Sequence, residues 1–417
     1  MNKKTILIIS CLLIVMMAVT SCTSPAKDLM EGIKPMTDDV ALESMDKGLN
    51  QDILNFTWNM FRESSRNSGN IMISPPSVYL SLAMTLNGAD GETKAEMIDA
   101  LSAQGLSEQE LNAGLRYWMS YLMSDDRIAK LSIANSIWYR EGFEVDEAFL
   151  QKNADYFKAS AKTLDFSDKS AADTINKWVK DSTNNKIDKI VEEIDDNTMM
   201  YLINAIYFKG DWKDQFKANN TYKMPFKAPI GTVDTDFMNR RGEIDYIEGS
   251  GATGVVLPYL DEQFAFVGIL PDESQSPRDL INSLTSLDLI SLLNSAETKT
   301  IDLSLPKFES SYDDSLKNEL SKLGMEIAFD PNVADFSLMK SDRVKDLFIS
   351  EVIHKTFIRV DEKGTEAAAV TSVEVSTTSM PAEVQRVVFD RPFVYGVVDV
   401  TTGIPLFIGI MENPTLE

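Results

Sequence analysis

The sequence predicts an α+β protein that forms one domain, with helices early in the chain and large, mostly antiparallel β-sheets after them. Apolar residues recur at helical spacing in the early segments, whereas alternating and β-branched runs dominate the later ones. The chain has 417 residues, of which 44% are hydrophobic, and this is enough for a large core. Because no Pro-, Gly- or Ser-rich linker follows residue 45, we predict a single domain over residues 46–417.

The predicted helices have apolar residues three and four positions apart; they lie in LNQDILNFTWNMFRES, SVYLSLAMTLNGA, GETKAEMIDALS, SEQELNAGLRYWMSYLM and SAADTINKWVKDST. The predicted strands are rich in β-branched and aromatic residues; they lie in LSIANSIWY, MMYLINAIYF, TGVVLPYL, FAFVGILP, KTIDLSLPKF, EVIHKTFIRV, RPFVYGVVDV and IPLFIGIM. Since the later strands follow one another without long helical patterns between them, antiparallel pairing is expected.

The first 21 residues are predicted to be a bacterial lipoprotein signal peptide. Lys3 and Lys4 precede the apolar run TILIISCLLIVMMAV, which is shorter than the roughly 20 residues of a membrane-spanning helix. The following VTSC, residues 19–22, resembles a lipobox, in which Cys22 becomes the lipidated N-terminus of the mature chain. Cys11 is the competing site, but cleavage there would leave hydrophobic residues behind.

Residues 22–45 are predicted to be a polar tether between a membrane and the domain, since they include Pro25 and Pro35. The expected location is the cell envelope, with the lipid in the outer membrane and the domain facing the periplasm or the cell surface. Removal of the signal peptide takes away two lysines and no acidic residue, so the formal net charge changes from −24 to −26. This acidic balance argues against nucleic acid and heparin-like polyanions as partners. No disulfide is expected, because the domain contains no cysteine.

Several motifs that could indicate an enzyme are interpreted as chance matches. GSGATG, residues 249–254, matches the dinucleotide-binding pattern, but the strand-like VVLPY follows it instead of a helix. Two Ser-x-x-Lys matches, residues 304–307 and 337–340, lack the Lys-Thr-Gly that accompanies them in penicillin-binding proteins. His354 is the one histidine, so it would have to be the base of any Ser-His-Asp hydrolase, and no Gly-x-Ser-x-Gly turn accompanies it. We therefore predict no cofactor and no catalytic residue. No metal site is predicted either, and a His/Cys zinc site in particular is excluded because the domain has one His and no Cys.

The segment KGTEAAAVTSVEVSTTSMP, from Lys363 to Pro381, has the composition of a strand but the position of a loop. It contains no Pro or Gly from Thr365 to Met380, although loops usually contain them. With the period of a strand, one face is small or β-branched and uncharged, and the other face carries both charges. The first face comprises Thr365, Ala367, Ala369, Thr371, Val373, Val375 and Thr377. A segment that is exposed in one state and a central strand in another would explain both properties.

At this loop the sequence resembles the serpin family of serine protease inhibitors. DEKGTEAAAVT, residues 361–371, is similar to the hinge of inhibitory serpins. The resemblance covers nearly the whole domain, because further serpin-like segments occur in serpin order: NIMISPPSVYLSLAMTLNGADGETKAEMIDAL, MYLINAIYFKGDW, VVLPY, LPKF, ADFS and FDRPFVYGVVDVTTGIPLFIG. It implies a serpin fold with an exposed reactive-centre loop. It also implies a suicide mechanism, in which a protease cleaves the loop and is trapped as an acyl-enzyme when the loop inserts into the main sheet.

The resemblance also implies roles for individual residues. The hinge comprises Gly364, Thr365, Glu366, Ala367, Ala368 and Ala369. Serpin spacing, counted forward from Gly364 and backward from Pro392, places the scissile bond at Thr378–Ser379. A shorter C-terminal spacing would give Pro381, which is chemically poor, and a bond after Met380 would have that proline on its far side.

Two further sites follow from the same resemblance. A polar cluster that controls opening of the main sheet comprises Ser74, Ser77, Asn204 and His354. Trp212 lies where the loop would first enter the sheet.

The sequence therefore predicts a suicide inhibitor of serine proteases that is not itself an enzyme. Thr378 is small, and no Lys or Arg lies between Thr365 and Gln385, so the expected targets are elastase-like or subtilisin-like proteases with small S1 pockets. The protein is expected to be a monomer. Activation by heparin is not expected, because Arg116 is the only basic residue between Gln104 and Met123. Two alternatives stay open: a non-inhibitory serpin-fold carrier or binding protein, and a hydrolase that uses His354.

Overall fold

The computed structural model of the chain describes residues 26–37, 45–124, 128–195, 197–365 and 384–416. The helices within these ranges are α1 (Lys47–Ser64), α2 (Pro75–Leu86), α3 (Gly91–Ala100), α4 (Glu108–Leu122), α5 (Glu147–Phe157), α6 (Ala171–Ser182), α7 (Pro277–Ser283), α8 (Ser286–Asn294) and α9 (Lys317–Lys322). The strands are β1 (Lys27–Asp28), β2 (Ile71–Ile73), β3 (Lys130–Arg140), β4 (Ser160–Leu164), β5 (Met200–Asp211), β6 (Thr221–Ala228), β7 (Gly231–Gly249), β8 (Ala252–Pro258), β9 (Phe264–Pro271), β10 (Glu297–Pro306), β11 (Phe308–Ser315), β12 (Glu351–Val360), β13 (Gly364–Thr365), β14 (Gln385–Val388), β15 (Phe393–Asp399) and β16 (Pro405–Met411).

The described strands form two sheets. The first, called the main sheet, has the order β1-β4-β3-β5-β13-β12-β11, and β5 also pairs directly with β12. The second has the order β14-β10-β7-β8-β9-β15-β16-β2, with β6 paired to β7. Most of the described pairs are antiparallel, and β3–β4, β5–β12 and β10–β14 are parallel. Helices early in the chain and large, mostly antiparallel sheets confirm the predicted fold class.

Helix α2 positions part of the candidate site. All 12 of its residues are buried, and it contacts α1, β3, β5 and β16. Pro75 and Pro76 are its first residues, where the missing backbone N–H removes no intrahelical hydrogen bond. The helix therefore begins two residues before the predicted segment SVYLSLAMTLNGA, and Ser74 and Ser77 are held against the main sheet.

Among the strands that the sequence analysis missed, β6, β7 and β11 have no hydrophobic run. The sequence of β11 is FESSYDDS, and β6 and β7 also carry many polar residues. Each gains its backbone hydrogen bonds from neighbours, since β11 pairs with β12 and β7 pairs with β6, β8 and β10. The GSGATG motif connects β7, which ends at Gly249, to β8, which begins at Ala252. It is therefore a turn between strands, as predicted.

Part of the predicted tether lies against the domain. Residues 27 and 28 form β1 at the edge of the main sheet, and Leu29, Met30 and Ile33 pack against the hydrophobic core. In the part of the chain that the structure describes, no helix is both long and apolar enough to span a membrane.

Candidate functional site

The main sheet is split at one end between β5 and β12. These strands pair directly, in parallel, where Tyr201–Ile206 lie beside Glu351–Thr356. Beyond this region β13 lies between them, and Thr365 pairs with Gly210 of β5 and with Val360 of β12. We call the end of the main sheet that contains β13 the hinge end. The other end, where β5 begins at Met200, is called the opposite end. Two residues of the predicted hinge therefore already form a short strand inside the sheet.

Glycine is required at position 364 by the close approach of β5. A Cβ atom on Gly364 would lie 2.1 Å from the carbonyl oxygen of Gly210 and 2.7 Å from the Cα of Asp211. Gly210 is similarly confined, because a Cβ atom there would lie 2.8 Å from the ring of Tyr259. Since backbone atoms cannot move aside as side chains do, any larger residue at position 364 would force β13 away from β5.

Thr365 is completely buried at the hinge end, with 0% of its surface exposed. Its Oγ1 lies 2.6 Å from the hydroxyl of Tyr259, and the ring of Tyr259 stacks on that of Trp212 at 4.8 Å. Burial raises the pKa of Tyr259 despite this hydrogen bond, so the hydroxyl stays protonated and can donate to Thr365. Tyr259 was not predicted as a site residue, although VVLPY, which ends at Tyr259, is one of the serpin-like segments.

Trp212 holds the turn that precedes the hinge. Its Nε1 donates a hydrogen bond to the carbonyl of Asp361 at 2.8 Å, and its backbone N–H donates to the carbonyl of Lys363 at 2.8 Å. Nearby, the Glu362 carboxylate lies 2.9 Å from the ammonium group of Lys307. The residues before Thr365 are thus attached to the domain, and Trp212 contacts them at the hinge end of the main sheet.

The structure brings the four residues of the predicted polar cluster together between α2, β5 and β12. His354 and Asn204 are register partners in the direct β5–β12 pairing. The Oδ1 of Asn204 accepts hydrogen bonds from the Ser77 hydroxyl at 2.6 Å and from His354 Nδ1 at 2.8 Å. The backbone N–H of Ser74 donates to His354 Nε2 at 3.0 Å. Asn135 of β3 extends the cluster, since its Oδ1 lies 2.5 Å from Asn204 Nδ2, and the sequence analysis missed it.

His354 is neutral in this cluster. It is completely buried, and this burial lowers its pKa from the ordinary 6.5 to about 3. Because Nε2 accepts the Ser74 N–H, the ring proton resides on Nδ1 and is donated to Asn204. A hydrolase would need a free ring nitrogen facing a nucleophile, and neither nitrogen of His354 is free. The hydrogen bond of His354 with Asn204 instead links β12 to β5. These two strands would have to separate if the gap at the hinge end became longer.

The other predicted site residues lie outside the described residues: Glu366, Ala367, Ala368, Ala369, Thr378, Ser379 and Cys22. The described chain resumes at Val384, and β14 pairs with β10 in the second sheet. The described chain is thus in the main sheet at Thr365 and in the second sheet at Gln385. Within the described ranges, no group of three or more His, Cys, Asp or Glu side chains could hold a metal ion.

Comparison with known proteins gives a consistent family assignment. The family model described as Serpin (serine protease inhibitor) matches residues 51–414. An uncharacterised serpin-like protein of Thermococcus kodakarensis is 33% identical over 399 residues, which is 94% of this chain and 92% of the relative. The structure of the thermophilic serpin tengpin in its native state is similar, with a TM-score of 0.87, 40% identity, and coverage of 93% of this chain and 100% of tengpin.

The same comparison distinguishes two states of the relative. Tengpin in its latent state has a TM-score of 0.77 and 39% identity, with coverage of 88% of this chain and 98% of tengpin. The present structure is thus more similar to the native form. The match over most of the chain, the split main sheet and the hinge residues within it lead to one assignment: the chain belongs to the serpin family, whose members are in general protease inhibitors and not enzymes.

Proposed function

We propose that the protein inhibits serine proteases by inserting its cleaved loop between β5 and β12. The observation that carries this proposal is the position of β13, where Gly364 and Thr365 already occupy the gap at the hinge end. Serpins generally target serine proteases and are usually monomers. In the proposed mechanism this protein acts as a monomer, and each molecule is consumed when it reacts with a protease.

The register of β13 supports a fit between the loop and the gap. Because Thr365 pairs with Gly210 in an antiparallel register, continued pairing would place Glu366 beside Lys209 and Val375 beside Met200. The inserted segment would then extend roughly 33 Å at about 3.3 Å per residue. Insertion must separate the direct β5–β12 pairing, and each new ladder bond adds about 1 kcal/mol, so the driving force is on the order of ten kcal/mol.

The burial of Thr365 also supports the assignment of the two loop faces. Side chains alternate between the faces of a strand, so positions 367, 369, 371, 373 and 375 would share the buried face of Thr365. These positions carry only Ala, Thr and Val. The charged residues Glu366 and Glu374 fall on the other face. A continuous strand can therefore enter the sheet without burying a charge beside Tyr259.

We propose that the targets have small S1 pockets, as in elastase-like and subtilisin-like proteases, and that the scissile bond is Thr378–Ser379. The segment between Thr365 and Gln385 has no Lys or Arg, so the buried acid of a trypsin-like pocket would find no partner.

The test is incubation with an elastase, with trypsin in parallel, followed by denaturing electrophoresis. With elastase we expect a complex that survives SDS and has the mass of elastase plus the inhibitor up to Thr378, together with a released C-terminal fragment that begins at Ser379. Elastase that lacks its catalytic serine is the matched control and should form no such complex. Cleavage without a complex would instead favour the non-inhibitory carrier or binding protein, and a complex with trypsin alone would overturn the proposed specificity.

We further propose that Cys22 carries a lipid that anchors the protein in the cell envelope. The support is the VTSC sequence directly after an apolar run with Lys3 and Lys4 before it. A diacylglycerol together with an amide-linked acyl chain supplies enough apolar surface for stable anchoring, whereas a single acyl chain does not.

A further inference from the structure

Residues 26–37, which we call the strap, are held along the domain surface. At one end, Lys27 pairs with Thr163 and Asp28 with Lys162 of β4. The backbone N–H of Leu29 donates to the carbonyl of Ala161 at 2.9 Å. An ion pair of 2.9 Å joins Asp28 to Lys162. The strap therefore adds an outer strand to the main sheet beyond β4.

The strap then crosses α5 and reaches α4. Gln151 of α5 donates to the carbonyl of Lys34 at 2.8 Å, and the carboxylate of Asp155 accepts the N–H of Met36 at 2.6 Å. Arg116 of α4 donates to the carbonyl of Met36 at 3.2 Å. With the packing of Leu29, Met30 and Ile33 against the core, contacts run from one end of the strap to the other.

The strand pairings determine at which end of the main sheet the strap begins. Since β1 is antiparallel to β4, the N-terminal end of the strap at Ala26 lies at the Leu164 end of β4. Leu164 pairs with Arg140 of β3, and the adjacent Tyr139 pairs with Met200, the first residue of β5. The strap therefore begins at the opposite end of the main sheet, away from the hinge end.

The two ends of the main sheet are well separated. Thr365 pairs with Gly210, and Gly210 lies roughly 33 Å from Met200 along β5 at about 3.3 Å per residue. In contrast, the four steps along the chain from Cys22 to Ala26 can span at most about 14 Å. A lipid on Cys22 would thus hold the opposite end of the main sheet close to the bilayer. A flexible tether over residues 22–45 would not hold any particular end of the domain there.

We propose that the strap orients the anchored domain, with the opposite end of the main sheet facing the lipid surface and the hinge end facing away from it. This inference rests on the proposed lipidation of Cys22. The net charge does not draw the domain to a bilayer, because a chain with a formal net charge of −24 is not attracted to anionic headgroups. The docked strap and the short connection from Cys22 to Ala26 are sufficient to orient the domain.

Single thiols can report this orientation, because the domain has no cysteine of its own and lipidation blocks the thiol of Cys22. Glu141→Cys places a label next to the end of β3, and Asp214→Cys places one shortly after the end of β5; both positions are exposed. With the lipidated protein in phosphatidylcholine vesicles that carry a headgroup acceptor, we expect strong energy transfer from position 141 and weak transfer from position 214.

A strap variant shows whether docking causes the difference. Leu29→Ser, Met30→Ser and Ile33→Ser together remove the apolar contacts of the strap, and we expect transfer from the two labels to become similar. Glu31→Ser, at an exposed position in the same segment, is the matched control and should retain the difference.

The outcomes separate this inference from the proposed lipidation. Equal or reversed transfer in the vesicle-bound protein, or a difference that persists in the triple variant, would overturn the orientation by the strap. Protein that stays in solution and is labelled at Cys22 as well as at the introduced cysteine would overturn the lipidation itself.

Discussion

Replacing Thr365 by arginine should convert the protein from an inhibitor into a substrate of the same protease. The position is completely buried, and its Oγ1 contacts the hydroxyl of Tyr259, whose ring is stacked on Trp212. An arginine there would place a charge among aromatic rings. The neighbouring acidic residue Asp211 pairs with Gly364 and so has its side chain on the other face of the sheet.

The cost of this burial exceeds what β13 gains from the sheet. An unpaired buried charge costs about 3–5 kcal/mol, whereas the ladder bonds of Thr365 contribute about 1 kcal/mol each. The hinge should therefore leave the sheet, and later insertion of the loop would meet the same penalty. If 3 kcal/mol or so is lost at the insertion step, trapping slows on the order of 100-fold, since each tenfold change in rate corresponds to about 1.4 kcal/mol.

The assay is the number of inhibitor molecules cleaved for each elastase molecule trapped, measured by titration and by gel. The Arg variant should be cleaved at the wild-type bond, with the complex almost absent. Thr365→Ser keeps the hydroxyl and should trap as wild type does. Thr365→Val leaves the buried hydroxyl of Tyr259 without its partner, which costs about 1–3 kcal/mol, and should be intermediate.

Glu366→Arg is the control for charge alone, because position 366 falls on the opposite face of the strand. We expect it to trap protease far better than Thr365→Arg. Equal trapping by Thr365→Arg and the wild type would refute the insertion mechanism for this protein.

Three further predictions concern pH, anchoring and cleavage. The pKa of His354 is lowered to about 3 in the folded protein and is about 6.5 in the unfolded chain. As the pH falls from 6.5 towards 3, only the unfolded state binds the extra proton, so the free energy of unfolding decreases over that window. Between pH 6.5 and pH 5 denaturant unfolding should show a loss about 2 kcal/mol larger for the wild type than for His354→Gln; parallel pH profiles would contradict this. Cys22→Ser should leave the protein uncleaved or soluble, and a variant that fractionates with membranes as the wild type does would disprove the lipid anchor. Cleavage in the loop should raise the melting temperature, because Val373 and Val375 become buried in the sheet, whereas a nicked form that melts at or below the intact one would indicate a carrier.

The sequence by itself determined the elements whose signal is local. Apolar spacing located α1, α2, α4 and α6, and runs of β-branched residues located the buried strands such as β9 and β16. The alternation of the loop and its lack of charge on one face were also readable, because the faces of a strand follow directly from residue order. Gly364 and the small residues after it were recognised from the serpin pattern, and the contact of Gly364 with Gly210 now supplies the physical reason.

Tertiary structure decided the features that depend on partners distant in the chain. The polar strands β6, β7 and β11 are strands because neighbours satisfy their backbone groups, so composition carries no signal for them. Tyr259 and Asn135 joined the site through contacts with Thr365 and Asn204 that only packing creates. Likewise, residues 26–37 were predicted to be part of a free tether, and only their contacts with β4, α4 and α5 show that they are docked.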